Sequence, residues 1–189
     1  MSMAICLHAS IAVADQIVPR GNGWQTYVND QFGMQFDIPV DFRPAPPPED
    51  GGGRSFDKGN ASIYIFASQN ADGDTPASFL KQMASTEGYE NVTYSPAGRS
   101  WLVISGFRGE RIFYEKYFFR DGLISAFGMD FPKEDKPLYA PVIERIEESF
   151  KAGRSLRTAV SRSFNYRVIS DLADAMLVSL ALPSENRVL

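Results

Sequence analysis

The sequence predicts an α+β fold, in which a mainly antiparallel β-sheet is flanked by two helices. From Trp24 onward, short segments alternate apolar and polar residues and are separated by turn residues, which is typical of strands. The turns between several long segments are tight, and this favours antiparallel neighbours. Two other segments repeat apolar residues at helical spacing. With 44% hydrophobic and 22% charged residues in 189, we expect a globular domain with a sizeable core.

The first half of the domain is predicted to consist mainly of strands. WQTYVN and MQFDIP form a candidate hairpin around the turn at Gly33, and SFDK and ASIYIFAS form a second pair around Gly59-Asn60. In the last of these segments, Ile63 and Ile65 share one face while Tyr64 and Phe66 share the other. Both faces of this strand therefore need cover.

Two helices are predicted, one in each half of the chain. The first begins at Thr75, an N-cap residue, with Pro76 at the first helical position and Phe79 on its apolar face. The second follows Pro132, and Gly153 is its expected C-terminal cap. Its apolar residues recur every four positions, at Leu138, Val142, Ile146 and Phe150.

Four strand segments lie between the helices: NVTYSPA, SWLVISGFR, ERIFYEKYFFR and LISAFGMDF. The third of them is apolar on both faces, which predicts that it is central and covered on both sides. One face carries Ile112, Tyr114 and Phe118, and the other carries Phe113, Tyr117 and Phe119.

These elements place a single α+β domain at residues 24–153. Residues 1–14 are predicted to be a signal peptide, either whole or truncated, because they are mostly small or apolar and Ala12-Val13-Ala14 fits a signal-peptidase site. Residues 15–23 are expected to form a linker. Residues 154–189 are an appended tail, basic and then apolar, for which a docking helix, a partner-binding element and a segment without an evolved role all remain open.

The composition excludes several classes of function. The net charge of −4 and the interspersed bases give no stripe for nucleic acid. The only cysteine and the only histidine are Cys6 and His8, both in the expected signal, so we expect no disulfide, zinc site or nucleophilic triad and no cofactor. The apolar run DLADAMLVSLALP is shorter than the ~20 residues that span a bilayer, so no transmembrane span is expected. The oligomeric state is left open.

A proline- and glycine-rich stretch, PAPPPEDGGGRSF, is the first candidate binding surface. Its prolines form only one turn of a polyproline helix, and its glycines lack the spacing of a phosphate loop. We therefore expect a surface loop between strands that contacts a partner together with nearby aromatic residues. The candidate binding residues are Pro46, Pro47, Pro48, Glu49, Asp50, Arg54, Trp24 and Tyr27.

A cleft on the sheet is the alternative candidate site, and it would suit a small ligand or hydrolase-like chemistry. Its residues would be Arg111, Tyr114, Glu115 and Asp130. Strand alternation weighs against it, because Arg111 and Glu115 fall on one face and Tyr114 falls on the other.

A calcium site at Asn70, Asp72 and Asp74 has the right oxygen ligands. It lacks the glycine and the distal glutamate of an EF-hand, which favours a turn before the helix.

Several stretches carry a resemblance to known proteins: Trp24-x-x-Tyr27-x-Asn29, Phe36-Asp37-Ile38-Pro39, the proline loop, and Trp101-Leu102-Val103-Ile104-Ser105-Gly106. With Ile112-Phe113-Tyr114-Glu115-Lys116, they resemble an uncharacterised group of exported bacterial proteins. The related fold is that of PsbP-like domains, which are α/β/α sandwiches. The resemblance implies a periplasmic or secreted chain, and it favours an accessory role, binding an unknown protein or envelope component, over catalysis. It carries over no site residue.

Overall fold

The computed structural model describes residues 15–49 and 51–154, all within one compact unit. The expected signal peptide at residues 1–14, the loop residue Asp50 and the tail beyond Arg154 lie outside the described residues.

Ten strands, two α-helices and a short 3-10 helix (Lys133–Asp135) make up the described chain. The strands are β1 (Gln16–Gly21), β2 (Trp24–Asn29), β3 (Met34–Pro39), β4 (Arg43–Pro44), β5 (Gly53–Lys58), β6 (Ala61–Gln69), β7 (Val92–Tyr94), β8 (Trp101–Arg108), β9 (Arg111–Arg120) and β10 (Leu123–Pro132). The helices are α1 (Pro76–Met83) and α2 (Lys136–Ser149).

The strands form two antiparallel sheets, which confirms the predicted α+β class. The smaller sheet has the order β1-β2-β3, and the larger has the order β4-β5-β6-β10-β9-β8-β7. All strand pairs are antiparallel. Tight turns join β8 to β9 and β9 to β10, as the sequence predicts.

One face of the larger sheet holds the main apolar core. Phe127 and Phe131 of β10 point to this face, where Phe131 contacts Tyr139 of α2 and Phe127 contacts Phe150 just after it. The inner face of the smaller sheet closes the same core, because Phe36 packs edge-on against Phe56 of β5. This face is therefore covered by α2 and by β1–β3 together.

The opposite face of the larger sheet is covered by α1 and by the chain that follows it. Phe79 of α1 contacts Tyr117 and Phe119 of β9. The start of α1 is fixed as predicted, since the Thr75 hydroxyl accepts a hydrogen bond from the Ser78 amide and Pro76 occupies the first turn. The alternation predicted for β9 is confirmed, because its two sets of aromatic residues reach different layers.

Strand β9 is interior, between β10 and β8, as predicted, and β10, buried along its whole length, holds the middle position of the larger sheet. Two sequence expectations need correction. The helix α2 ends at Ser149, and Gly153 is no cap: its amide donates to the Ser125 hydroxyl, where a side chain would crowd Ser125. The segment expected to be a linker, 15–23, contains β1, whose residues are all exposed and so lack the alternation that marks a strand.

A salt bridge ties α2 to the smaller sheet. Arg145 of α2 donates from Nη2 and Nε to Oδ2 of Asp37 in β3, at 2.8 and 3.1 Å. Thr26 of β2 donates to Oδ1 of the same carboxylate. Burial alone would raise the pKa of Asp37, but the hydrogen bonds from Thr26 and Arg145 outweigh it and hold the pKa below its usual value. The charged form of Asp37 thus stabilises the fold.

We expect Asp37→Asn to lower the free energy of unfolding at neutral pH by about 1.5–3 kcal/mol, because hydrogen bonds to a charged partner are lost. The folded pKa lies below the unfolded value of about 3.9, so this stability is present above that pH and is lost as the pH falls through the folded pKa. The variant should therefore show a shallower loss of stability below about pH 4 in urea titrations. Asp57→Asn, at an exposed acid, is the control; an equal effect there would refute the assignment.

Candidate functional site

A cluster of ionised and phenolic side chains lies on the face of the sheet that α1 covers. Glu115 of β9 is paired in register with Gly128 of β10 and Ile104 of β8, and Asp130 is paired with Phe113. Paired residues share a face, so both carboxyl groups point the same way. We call Arg108, Arg111, Glu115 and Asp130 the carboxylate–arginine cluster.

Glu115 is almost completely buried, with 2% of its side chain exposed. Its Oε2 accepts hydrogen bonds from the hydroxyls of Tyr89, at 2.8 Å, and Tyr117, at 2.6 Å. Its Oε1 accepts from Nη2 of Arg108, at 2.9 Å. Both carboxylate oxygens are thus engaged by groups of the same chain.

Asp130 is equally buried and is paired with two guanidinium groups. Its Oδ1 accepts from Nε of Arg111, whose Nη2 also donates to the backbone oxygen of Asn60, at 2.7 Å. Its Oδ2 lies 3.6 Å from Nη1 of Arg108 and has no hydrogen-bond partner. Two acids and two bases therefore meet on this face, and their charges cancel.

Burial shifts several titrations in the cluster. It raises the pKa values of Tyr64, Tyr89 and Tyr117, and the nearby charge of Glu115 raises them further, so these phenols remain protonated donors. Burial also raises the pKa of Asp130, although the charges of Arg111 and Arg108 oppose that change. Burial alone would lower the pKa of Arg108, but the charge of Glu115 outweighs it and raises the value.

The chain between α1 and β7 closes over this cluster. Nε of Arg108 donates to the backbone oxygen of Gly88, at 3.0 Å, and its guanidinium lies over the rings of Tyr89 and Phe113. A Cβ at Gly106 would lie 2.1 Å from the backbone oxygen of Asn91, so only glycine allows this close approach. Arg108 and Glu115 thus fasten the Gly88–Asn91 segment to the sheet.

The alternative cleft of the sequence analysis is only partly assembled. The structure brings Arg111, Glu115 and Asp130 together, with Arg108 between the two acids. Tyr114 lies on the opposite face, where its hydroxyl donates to Oε1 of Glu147, at 2.5 Å. The four residues therefore cannot act on one ligand, as strand alternation indicates.

The proline loop is exposed where the sequence analysis placed its candidate binding residues. Pro46, Pro47 and Glu49 are exposed and Pro48 is half-buried. Hydrogen bonds hold both ends: the Ala45 amide donates to the Ser55 backbone oxygen, and the side-chain Nδ2 of Asn29 donates to the Gly51 backbone oxygen. The described part of the loop is a firmly anchored surface feature.

The other three candidate binding residues face the protein itself. Tyr27 is buried and donates its hydroxyl to Asp15, at 2.6 Å, and burial raises its pKa. Arg54 is half-buried, with one guanidinium nitrogen 3.8 Å from Asp15. Trp24 is half-buried beneath the guanidinium of Arg145. Packing accounts for the positions of Tyr27 and Trp24, and the exposed contact surface reduces to the proline loop.

The residues considered for calcium form a turn that leads into α1. Asn70 accepts from the Asp74 amide through Oδ1 and donates to the Asp74 backbone oxygen through Nδ2. Oδ1 of Asp74 accepts from Ser78 and Gln82, and Asp72 is exposed. Within residues 15–49 and 51–154, no group of three or more His, Cys, Asp or Glu side chains could hold a metal ion.

Sequence reasoning did not identify Tyr89 as a partner of Glu115. Arg108 shares a face with Arg111 by register, because a tight turn joins β8 to β9. Tyr89 lies 26 residues from Glu115 in a segment without periodicity, and no sequence signal identifies it.

No helix in the described parts of the chain is long and apolar enough to cross a membrane.

No protein-family model matches the chain, and no curated protein matches it. Among solved structures, the chain is similar to the cyanobacterial PsbP protein CyanoP from Synechocystis sp. PCC 6803, with 11% identity, a TM-score of 0.53 and coverage of 77% of this chain and 98% of that one. It is less similar to the Ran-binding protein Mog1p of Saccharomyces cerevisiae, with 7% identity, a TM-score of 0.43 and coverage of 64% and 90%. A Bacteroides thetaiotaomicron structure matches with 15% identity, a TM-score of 0.44 and coverage of 77% and 56%.

The likeness to CyanoP concerns the fold alone, because only 11% of the aligned residues are identical. The chain has a PsbP-like fold, as the sequence predicts.

We expect Glu115→Gln to lower the free energy of unfolding by about 3–5 kcal/mol, because it leaves Arg108 buried beside a neutral amide. Urea denaturation monitored by tryptophan fluorescence measures the change. Glu147→Gln is a matched control on the opposite face, since Glu147 also accepts from a tyrosine and a cation but is 31% exposed. The free energy of unfolding of the control should fall by less than about 1 kcal/mol. Equal losses in the two variants would show that the burial of Glu115 does not increase its contribution to stability.

Proposed function

We propose that this chain is an exported, non-catalytic domain that binds a protein or a cell-envelope component. The observation that carries the proposal is the contrast between the two candidate sites. The groups suited to acid–base chemistry, Glu115 and Asp130, are buried and paired with Arg108 and Arg111. In the proline loop, by contrast, Pro46, Pro47 and Glu49 are exposed.

The shape of the proline loop suits it to recognition. Proline fixes the backbone φ angle, so Pro46, Pro47 and Pro48 lose little conformational freedom when a partner binds. The hydrogen bonds at Ala45 and Gly51 hold the loop at both ends. Glu49 adds an exposed negative charge that would favour a basic group on the partner.

Export to the periplasm or beyond is supported by the residues around Asp15. Ala12-Val13-Ala14 fits a signal-peptidase site directly before this residue. The Asp15 carboxylate accepts from the Tyr27 hydroxyl at 2.6 Å and from Asn29 Nδ2 at 3.0 Å. The residue that cleavage would leave at the N-terminus is therefore held by hydrogen bonds to the folded domain.

A small-ligand site on the carboxylate–arginine cluster is the second candidate. It is favoured by one observation: Oδ2 of Asp130 is buried and lacks a hydrogen-bond partner, which is unusual for a carboxylate. Binding of a small molecule that is abolished by Asp130→Asn and kept in a proline-loop variant would favour this candidate over the first.

A variant of the proline loop tests the proposed contact. Replacing Pro46 and Pro47 with serine and Glu49 with lysine should leave the melting temperature nearly unchanged, because these side chains are exposed. The same variant should reduce the recovery of a specific envelope partner by at least about tenfold in cross-linking pull-downs. Asp72→Lys, in the exposed turn before α1, is the matched control. Equal recovery by the wild type and the loop variant would exclude the loop as the contact.

The mature N-terminus tests the proposed export. Expression in a bacterium of the chain with a short basic segment added before Met1 should yield a periplasmic protein whose N-terminal residue, measured by intact-mass and peptide mass spectrometry, is Asp15. Ala14→Leu should block this cleavage, because a large side chain does not fit the small-residue position before the scissile bond. An uncleaved wild-type chain retained in the cytoplasm would contradict the export proposal.

A further inference from the structure

The edges of the two sheets are protected unequally. The larger sheet ends in two short strands, β4 with two residues and β7 with three and a register shift. The outer edge of β3 is occupied by the chain after α2, because Gln35 and Lys151 exchange backbone hydrogen bonds at 2.8 and 3.2 Å. Short or covered edges prevent unwanted strand pairing.

Strand β1 departs from this pattern. It has six residues, all of them exposed, and among the described residues it pairs with β2 alone. Ile17 and Val18 are 42% and 40% exposed, which makes them two of the more exposed large apolar residues in the described chain. An exposed apolar edge strand is a ready template for another strand.

We infer that β1 pairs with the β1 strand of a second copy of this chain, antiparallel and about a two-fold axis at Val18. A two-fold axis makes the interface self-complementary, so each residue must suit its symmetry-related neighbour. This inference is independent of the proposed partner of the proline loop, because it concerns a different surface.

The sequence of β1 matches itself in this register. Val18 would lie opposite Val18 of the second copy, and Ile17 would lie opposite Pro19, so the centre of the seam is apolar on both faces. Gln16 would lie opposite Arg20 at each end. Apolar pairs at the centre and polar pairs at the ends are the arrangement that cross-strand pairing favours.

Charge complementarity supports the same register. Gln16 donates to the carboxylate of Asp30 at 3.2 Å, so one end of the strand carries a negative charge. Arg20, at the other end, donates through Nε to the Thr26 hydroxyl at 2.6 Å, which places it on the face that carries Thr26. Antiparallel pairing brings Arg20 of each copy to Gln16 and Asp30 of the other, and the contact forms twice.

Pro19 limits the extent of this seam. It lacks a backbone N–H, so it removes one donor from β1, and a register shift follows it before Gly21. A closed two-fold pair over a few residues fits such a strand better than open-ended stacking does. The interface is small, and we expect a dimer that forms in a concentration-dependent manner.

Sedimentation velocity of the full chain over about a hundredfold range of concentration tests the inference. The wild type should shift from monomer to dimer. Val18→Lys should weaken the association constant by at least about tenfold, because it places two like charges opposite each other at the axis. Val40→Lys is the matched control, since Val40 is a valine of similar exposure in the turn after β3, and this variant should dimerise as the wild type does.

A charge exchange tests the register. Arg20→Glu should weaken the dimer, and the double variant Arg20→Glu with Asp30→Arg should restore it, provided that circular dichroism shows each variant folded. A wild type that stays monomeric at every concentration overturns the inference. Slow amide exchange at Ile17 and Val18 in that monomer would show that another part of the same chain covers the outer edge of β1. Dimerisation that survives Val18→Lys, or a folded double variant without recovery, also overturns it.

Discussion

Arg108 carries the electrostatic constraint on which one whole face of the sheet depends. The fold buries two carboxylates, Asp130 on β10 and Glu115 on the neighbouring β9, and an unpaired buried carboxylate would cost several kcal/mol. The guanidinium of Arg108 bonds the first and lies close to the second, and it also holds the Gly88 backbone. The same side chain therefore neutralises the buried carboxylates and holds the segment after α1 against the sheet. Tyr89 of that segment adds a second contact, because its hydroxyl donates to Glu115.

The fold could be predicted from the sequence wherever local patterns agree with tertiary packing. The capped start of α1 at Thr75 and the two-faced alternation of β9 required only spacing, and the structure confirms both. The sequence could not tell which of β9 and β10 takes the middle position, because both strands are apolar on each face and local periodicity does not order strands in a sheet. The strand β1 escaped prediction because all its residues are exposed.

In the candidate sites too, the features set by local pattern could be predicted and those set by tertiary packing could not. Alternation placed Tyr114 on the face opposite Glu115 correctly, since period two is a property of the backbone. The sequence could not decide whether Tyr27 is buried, because a strand aromatic has the same sequence signature whether it faces a core or a partner. Tyr89 could not be found, because its contact with Glu115 is set by the path of an irregular segment across the sheet.

The central claim is that the carboxylate–arginine cluster stabilises the fold. A double-mutant cycle between Arg108 and Glu115, measured by urea denaturation, tests it most directly. The variants are Arg108→Met, Glu115→Gln and their combination. The account predicts a coupling energy of about 1.5–3 kcal/mol, the range for a hydrogen bond to a charged group, so that the double variant is less destabilised than the sum of the two single variants. A coupling energy near zero, with additive losses, would contradict it.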